Sequence, residues 1–133
     1  MVFVLLLLAV RQSYTDIRYR LIRNRDTAIL LVLAISFSHF IVIYSLAVLG
    51  ILYGLSLITR ESIGAGDIKL LAVLSGCALS LPDLLNFFTY VILLAGLFSL
   101  AGVIHKRSVH FSLPLAPFIW VAYFLTYWSM RAL

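Results

Sequence analysis

Long apolar stretches separated by short polar segments make up most of the chain. They cover roughly residues 1–15, 27–59, 68–82, 84–104 and 113–131. Because about 20 helical residues already cross the ~30 Å hydrocarbon core of a bilayer, the second stretch is too long for one span. We divide it near "SFSHF", residues 36–40, where polar side chains interrupt it. The pattern predicts an all-α bundle of about six short transmembrane helices, which tilting or local thinning of the bilayer would accommodate.

The composition also favours a membrane protein. The chain has 133 residues, of which 64% are hydrophobic and 11% are charged. Soluble domains are typically about half apolar and about a quarter charged. A soluble fold of this length could not bury so much apolar surface in one core. We find no internal repeat and no low-complexity linker, so residues 1–133 are predicted to form a single membrane-embedded domain.

The basic residues predict how the helices cross the membrane. With the N-terminus outside and six spans, the cytoplasmic connections are residues 11–26, 59–69 and 105–112, which hold nine of the ten Lys and Arg residues. A single helix over 27–59 would place the first two of these connections on opposite faces, contrary to the positive-inside rule. Because the basic residues lie in short connections, we expect membrane lipid and no nucleic acid as their partner.

Residues that bind metals in other proteins are few and scattered. Cys77 is the single cysteine, and His39, His105 and His110 do not have the spacing of metal ligands. We therefore expect neither a metal site nor another cofactor.

Two of the five acidic residues, Asp16 and Asp67, are candidates for catalysis. Both are predicted to lie at the cytoplasmic boundary of the membrane, where an ionised carboxylate is costly unless it has a partner or a function. Two neighbouring carboxylates can share one proton, so that one activates water as a general base and the other polarises the scissile carbonyl. The sequence permits this pairing but does not establish it.

Gly64 and Gly66 come just before Asp67. Glycine allows a second chain to approach closely, which suits a loop that admits an extended peptide. In the alternative interpretation the glycines only separate two helices, and the helix dipole favours Asp67 at the start of the second one. The spacing alone leaves both interpretations open.

Three blocks of the sequence carry a resemblance to a known family. "GAGDIKLLAVLSG", residues 64–76, resembles the GxGD signature of the type IV prepilin peptidases, which are membrane-embedded aspartic proteases. "DIRYRLIRN", residues 16–24, resembles their first aspartate block, D-x-x-x-x-x-I-P-N. "LPLAPFIWVA", residues 113–122, resembles their late P-x-x-P block. The blocks occur in the family's order and span nearly the whole chain.

The resemblance implies a function and a set of site residues. It makes Asp16 and Asp67 the catalytic pair, Gly64 and Gly66 the motif glycines, and Lys69 the basic residue that follows the motif aspartate. The implied activity is cleavage of the leader peptide of prepilin-like proteins at the cytoplasmic face of the bacterial inner membrane, by a multi-pass enzyme. Lys69 would interact with Asp67 or with a substrate carbonyl, or it would extend from the membrane to the aqueous interface.

The sequence departs from the family pattern at two points. Arg23 stands where the family usually has proline, which makes the turn after Asp16 less rigid. The cytoplasmic loop with paired CxxC motifs, found in larger members that also carry a methyltransferase domain, has no counterpart here. The chain therefore resembles the short, protease-only form associated with tight-adherence or Flp pili.

A second hypothesis assigns no enzymatic activity. The chain would then be an assembly subunit or a small proton or ion carrier, and its two aspartates would form an ion site or only cap helices.

The aromatic side chains of the last apolar stretch predict a belt at the membrane interface; they are Trp120, Tyr123, Tyr127 and Trp128. The sequence determines neither the oligomeric state nor the identity of the pilin.

Overall fold

The helices lie close to where the apolar pattern predicts them. The structure is a computed structural model that describes residues 2–37, 39–59, 64–106 and 113–132. These residues form α1 (Val2–Tyr19), α2 (Asn24–Phe37), α3 (Val42–Ile58), α4 (Ala65–Ser75), α5 (Leu81–Lys106) and α6 (Ala116–Ala132). The described residues contain no strand. The prediction of an all-α bundle of six helices is therefore confirmed.

The long apolar stretch divides at the predicted place. Helix α2 ends at Phe37 and α3 begins at Val42. The connection contacts the end of α4, where the Ile41 N–H donates to the Gly76 carbonyl oxygen at 2.7 Å. A Cβ on Gly76 would collide with the Phe40 ring. Glycine at the end of α4 thus allows the Phe40 ring to lie directly against its backbone.

Helix α4 forms the centre of the bundle. Its residues from Ile68 to Ser75 are buried, with the exception of the exposed Lys69. It packs against α2, α3 and α6, while α1 and α5 each pack along α6. With 11 residues, it is about 16 Å long, roughly half the thickness of a bilayer's hydrocarbon core. Its first turn therefore lies at one end of the bundle and its last turn inside it.

The outer surface of the bundle is apolar. Leu81–His105 is the single helix in the described part of the chain that is both long and apolar enough to cross a membrane, with a mean hydropathy of 2.3. Helix α3 is apolar but shorter. Ile43, Ile58 and Leu97 are among many large apolar side chains that face outward.

The predicted number of spans and the outside position of the N-terminus stay predictions. Arg60 and Arg107, two of the basic residues behind that topology, lie outside the described residues, as does His110.

An ion pair joins the first two helices. Asp26, in the first turn of α2, is 1% exposed, and its Oδ2 lies 3.4 Å from the Arg11 Nε. Arg11 lies on α1 and is 55% exposed. Neither Asp26 oxygen accepts a hydrogen bond from a described residue. Arg11 is therefore the cation that offsets the cost of burying this carboxylate.

We expect Arg11→Gln to destabilise the protein by about 3 kcal/mol, because it leaves the Asp26 carboxylate buried without a counter-charge. Asp26→Asn should cost less, since it removes the buried charge itself. Adding Asp26→Asn to Arg11→Gln should recover part of the loss. Thermal unfolding of the purified variants in detergent measures this order, and an Arg11→Gln protein as stable as the wild type would contradict it.

Candidate active site

Asp16 lies near the end of α1 and contacts the start of α6. Its Oδ2 accepts a hydrogen bond of 2.9 Å from the backbone N–H of Ala116, the first residue of α6. Both residues are buried. Asp16 therefore has a fixed position and a partner that belongs to the main chain of another helix.

The reason for this contact is the way α6 begins. The first N–H groups of a helix have no acceptor within the helix, and they carry partial positive charge. Leu115, just before α6, accepts hydrogen bonds from Phe118 and Ile119 through its carbonyl but has no side-chain oxygen with which to cap the helix. The Asp16 carboxylate supplies that acceptor.

A second polar contact lies one helical turn deeper in the bundle. The Trp120 Nε1–H donates to Gln12 Oε1 at 3.0 Å, and Gln12 is completely buried. Gln12 precedes Asp16 by one turn of α1, and Trp120 follows Ala116 by one turn of α6. The two contacts therefore align α1 and α6 antiparallel and fix the depth of Asp16. The interface-belt prediction is wrong for Trp120, which is 2% exposed because its indole reaches the buried Gln12.

Asp67 lies in the first turn of α4 and is only partly buried. Its Oδ1 is buried and accepts no hydrogen bond from the described residues. A Cβ placed on Gly64 would lie 3.2 Å from Asp67 Oδ2. The carboxyl group thus folds back over the backbone of Gly64.

The turn that ends α1 lies against the start of α4. Arg20 has φ of 53°, the left-handed conformation that commonly ends a helix. The chain then places the buried Ile22 beside Gly66. A Cβ on Gly66 would lie 2.9 Å from the Ile22 Cβ, which is too close for any other residue without a shift. Gly66 therefore allows the α1–α2 turn and the start of α4 to pack closely.

Lys69 connects the same two segments on the outer side. Its Nζ donates to the Asn24 Oδ1 at 3.1 Å, and Asn24 is the first residue of α2. Both side chains are exposed. The hydrogen bond directs Lys69 toward α2.

The structure thus brings the predicted residues Asp16, Asp67, Gly64 and Gly66 to one end of the bundle, with Lys69 beside them. Sequence reasoning missed Gln12 and the Ala116 N–H, and it did not single out Asn24 from its block. No group of three or more His, Cys, Asp or Glu residues within the described ranges is placed to hold a metal ion.

A sequence profile of the type IV leader peptidase family matches residues 1–100. The chain belongs to the type IV leader peptidase family. The resemblance in the sequence is therefore confirmed at the level of the family, and with it a membrane-associated leader peptidase as the general activity. The matched residues include both aspartates and end within α5, so α6 lies beyond them. Neither the comparison with curated proteins nor that with solved structures found a match.

We expect Gly66→Ala to lower the leader peptidase activity at least about tenfold, because the added methyl group displaces Ile22 and shifts Asp67 relative to Asp16. Gly54→Ala is the matched control, since a Cβ there meets nothing within 4 Å. Initial cleavage rates at equal amounts of folded protein compare the two variants. Equal activity of the two would show that the contact with Ile22 does not position the site.

Ala116→Pro tests the hydrogen bond to Asp16. Proline is well tolerated at the first position of a helix and has no N–H, so it removes this donor while α6 still begins at the same place. Ala116→Val adds similar bulk and keeps the donor. We expect the proline variant to lose about tenfold more activity than the valine variant. This is the effect expected from the loss of one hydrogen bond to a charged group. A larger loss with valine would assign the effect to packing instead.

Proposed function

We propose that the chain is an aspartic endopeptidase that removes the leader peptide of type IV prepilin-like proteins, with Asp16 and Asp67 as its catalytic residues. The observation that supports this most is that Asp16, bonded to the start of α6, and Asp67, in the first turn of α4, lie at the same end of the bundle. The family assignment supplies the class of activity. The proposed reaction is proteolysis alone, since the sequence has one cysteine and no paired CxxC motif.

In the proposed mechanism the two carboxyl groups share one proton. Two ionised carboxylates at close range repel each other, so a single proton between them is the favoured state. Asp16 Oδ2 already accepts the Ala116 N–H, and a carboxylate that accepts a backbone hydrogen bond is suited to be the charged partner. Asp16 is therefore assigned as the general base that takes a proton from water.

Asp67 is assigned as the general acid. An ionised oxygen that is buried without a hydrogen bond is costly, and Asp67 Oδ1 is in that position among the described residues. A protonated Asp67 would donate a hydrogen bond to the oxygen of the scissile carbonyl and keep its proton, while water attacks the carbon and Asp16 takes the proton of that water. It would then supply the proton that the departing amine requires, and Asp16 would return a proton to Asp67 for the next cycle.

The surroundings of Asp67 support the entry of an extended peptide. Gly64 and Ala65 are exposed next to the carboxyl group, and neither has a side chain beyond Cβ. A substrate backbone can therefore approach Asp67 from the end of the bundle. The predicted topology places this end at the cytoplasmic face of the bacterial inner membrane, where nine of the ten basic residues are expected.

Single substitutions test the aspartate pair. We expect Asp16→Asn and Asp67→Asn each to lower the cleavage rate at least about a thousandfold, because the mechanism needs both groups. Asp83→Asn is the matched control. Asp83 lies in the first turn of α5, and its Oδ2 accepts the Ser80 hydroxyl at 2.6 Å. The Asp83→Asn variant should cleave the prepilin at a rate within about twofold of the wild type.

Cleavage is measured on a co-expressed prepilin by intact mass, with the membrane content of each variant checked. Retained cleavage in either site variant would reject the two-aspartate mechanism. Loss of cleavage in the Asp83→Asn variant as well would indicate a general effect on folding. Proton flux driven by a pH gradient, with no cleaved product from any prepilin, would favour the non-enzymatic carrier instead.

A further inference from the structure

A groove runs between α2, α3 and α4 on the outside of the bundle, and the reaction described above does not use it. Its volume is about 340 Å³. Asn24, Thr27 and Lys69 line one end, where α2 and α4 begin. Leu31, Leu49 and Val73 line the part that extends into the bundle. The groove is therefore polar at the predicted membrane surface and largely apolar beyond it.

The polar end carries positive charge. The Lys69 ammonium has three N–H donors, and one of them is directed at Asn24 Oδ1. Arg23 and Arg25, on either side of Asn24, are exposed. The N-terminus of α2 adds partial positive charge at the same place. The nearby Asp26 is buried against Arg11 and so does not neutralise this end.

The lining of the groove indicates what can occupy it. Lys69 makes one end cationic, and Leu31, Leu49, Ala72 and Val73 make the rest largely apolar. An extended hydrocarbon chain can follow the apolar part. The complementary occupant is thus a molecule with an anionic head and an apolar chain.

We propose that this groove binds an anionic phospholipid. The phosphate lies against Lys69, Asn24 and the start of α2, and one acyl chain lies along Leu31 and Leu49 between α2 and α3. Basic pockets between membrane helices bind anionic headgroups in this way. The bound lipid holds α2 and α4 together two residues from Asp67. It is a positioning ligand for the site and takes no part in the reaction.

Lipid binding by the full chain tests this proposal. Native mass spectrometry of the detergent-solubilised protein compares phosphatidylglycerol with phosphatidylcholine of the same acyl chains. We expect phosphatidylglycerol to bind preferentially and Lys69→Gln to weaken its binding about fivefold. Arg131→Gln is the matched control because Arg131 is an exposed cation at the end of α6, above the Tyr127 ring. It should leave the affinity unchanged.

A second variant acts on the apolar part. Leu49→Trp fills the groove from α3 and should lower the phosphatidylglycerol affinity while Lys69 is intact. Equal binding of the two lipids, or equal losses with Lys69→Gln and Arg131→Gln, would overturn the proposal. Unchanged lipid binding by Lys69→Gln, together with a raised KM for prepilin, would assign the groove to the substrate. The binding readout needs no cleavage, so its failure is distinct from failure of the aspartate mechanism.

Discussion

The hydrogen bond between Asp16 and the N–H of Ala116 determines the arrangement of the site. It joins a carboxylate in the last turn of α1 to the positive end of α6, and so fixes the position of this end of α1. The turn that follows places Ile22 against Gly66 at the start of α4. Asp67, the residue after Gly66, is thereby held at the same end of the bundle as Asp16. Each step depends on the previous one, and the first is a contact between a side chain and the main chain.

Polar contacts are well suited to set the register of this bundle. Apolar side chains pack against each other in many nearly equivalent ways, whereas a displaced hydrogen bond leaves two buried polar groups without partners. The Gln12–Trp120 contact and the Asp16–Ala116 contact lie one helical turn apart on the same pair of helices. A slip of α1 along α6 would break both. The buried Asp26 beside Arg11 adds a similar constraint between α1 and α2.

Helix number and position could be predicted because they follow from hydrocarbon thickness and from polar interruptions such as residues 36–40. The two aspartates were found through a motif. The partners of these residues could not be predicted, because the helices are apolar on most faces and their sequences do not show which face turns inward. Trp120 illustrates this limit, since its burial follows from the position of Gln12 on another helix. The role of the Ala116 N–H has no signal in the sequence, because every residue except proline has a backbone N–H.

Because Asp16 is held by main chain, this part of the structure responds differently to two kinds of evolutionary change. Replacing Ala116 by another small residue changes the side chain and leaves the donor in place. Inserting or deleting one residue within α6 between Ala116 and Trp120 rotates these two positions relative to each other by about 100°, so the contacts with Asp16 and Gln12 could no longer both form. Relatives of this chain can therefore vary in the side chain at the first position of α6 more freely than in the number of residues between these two contacts.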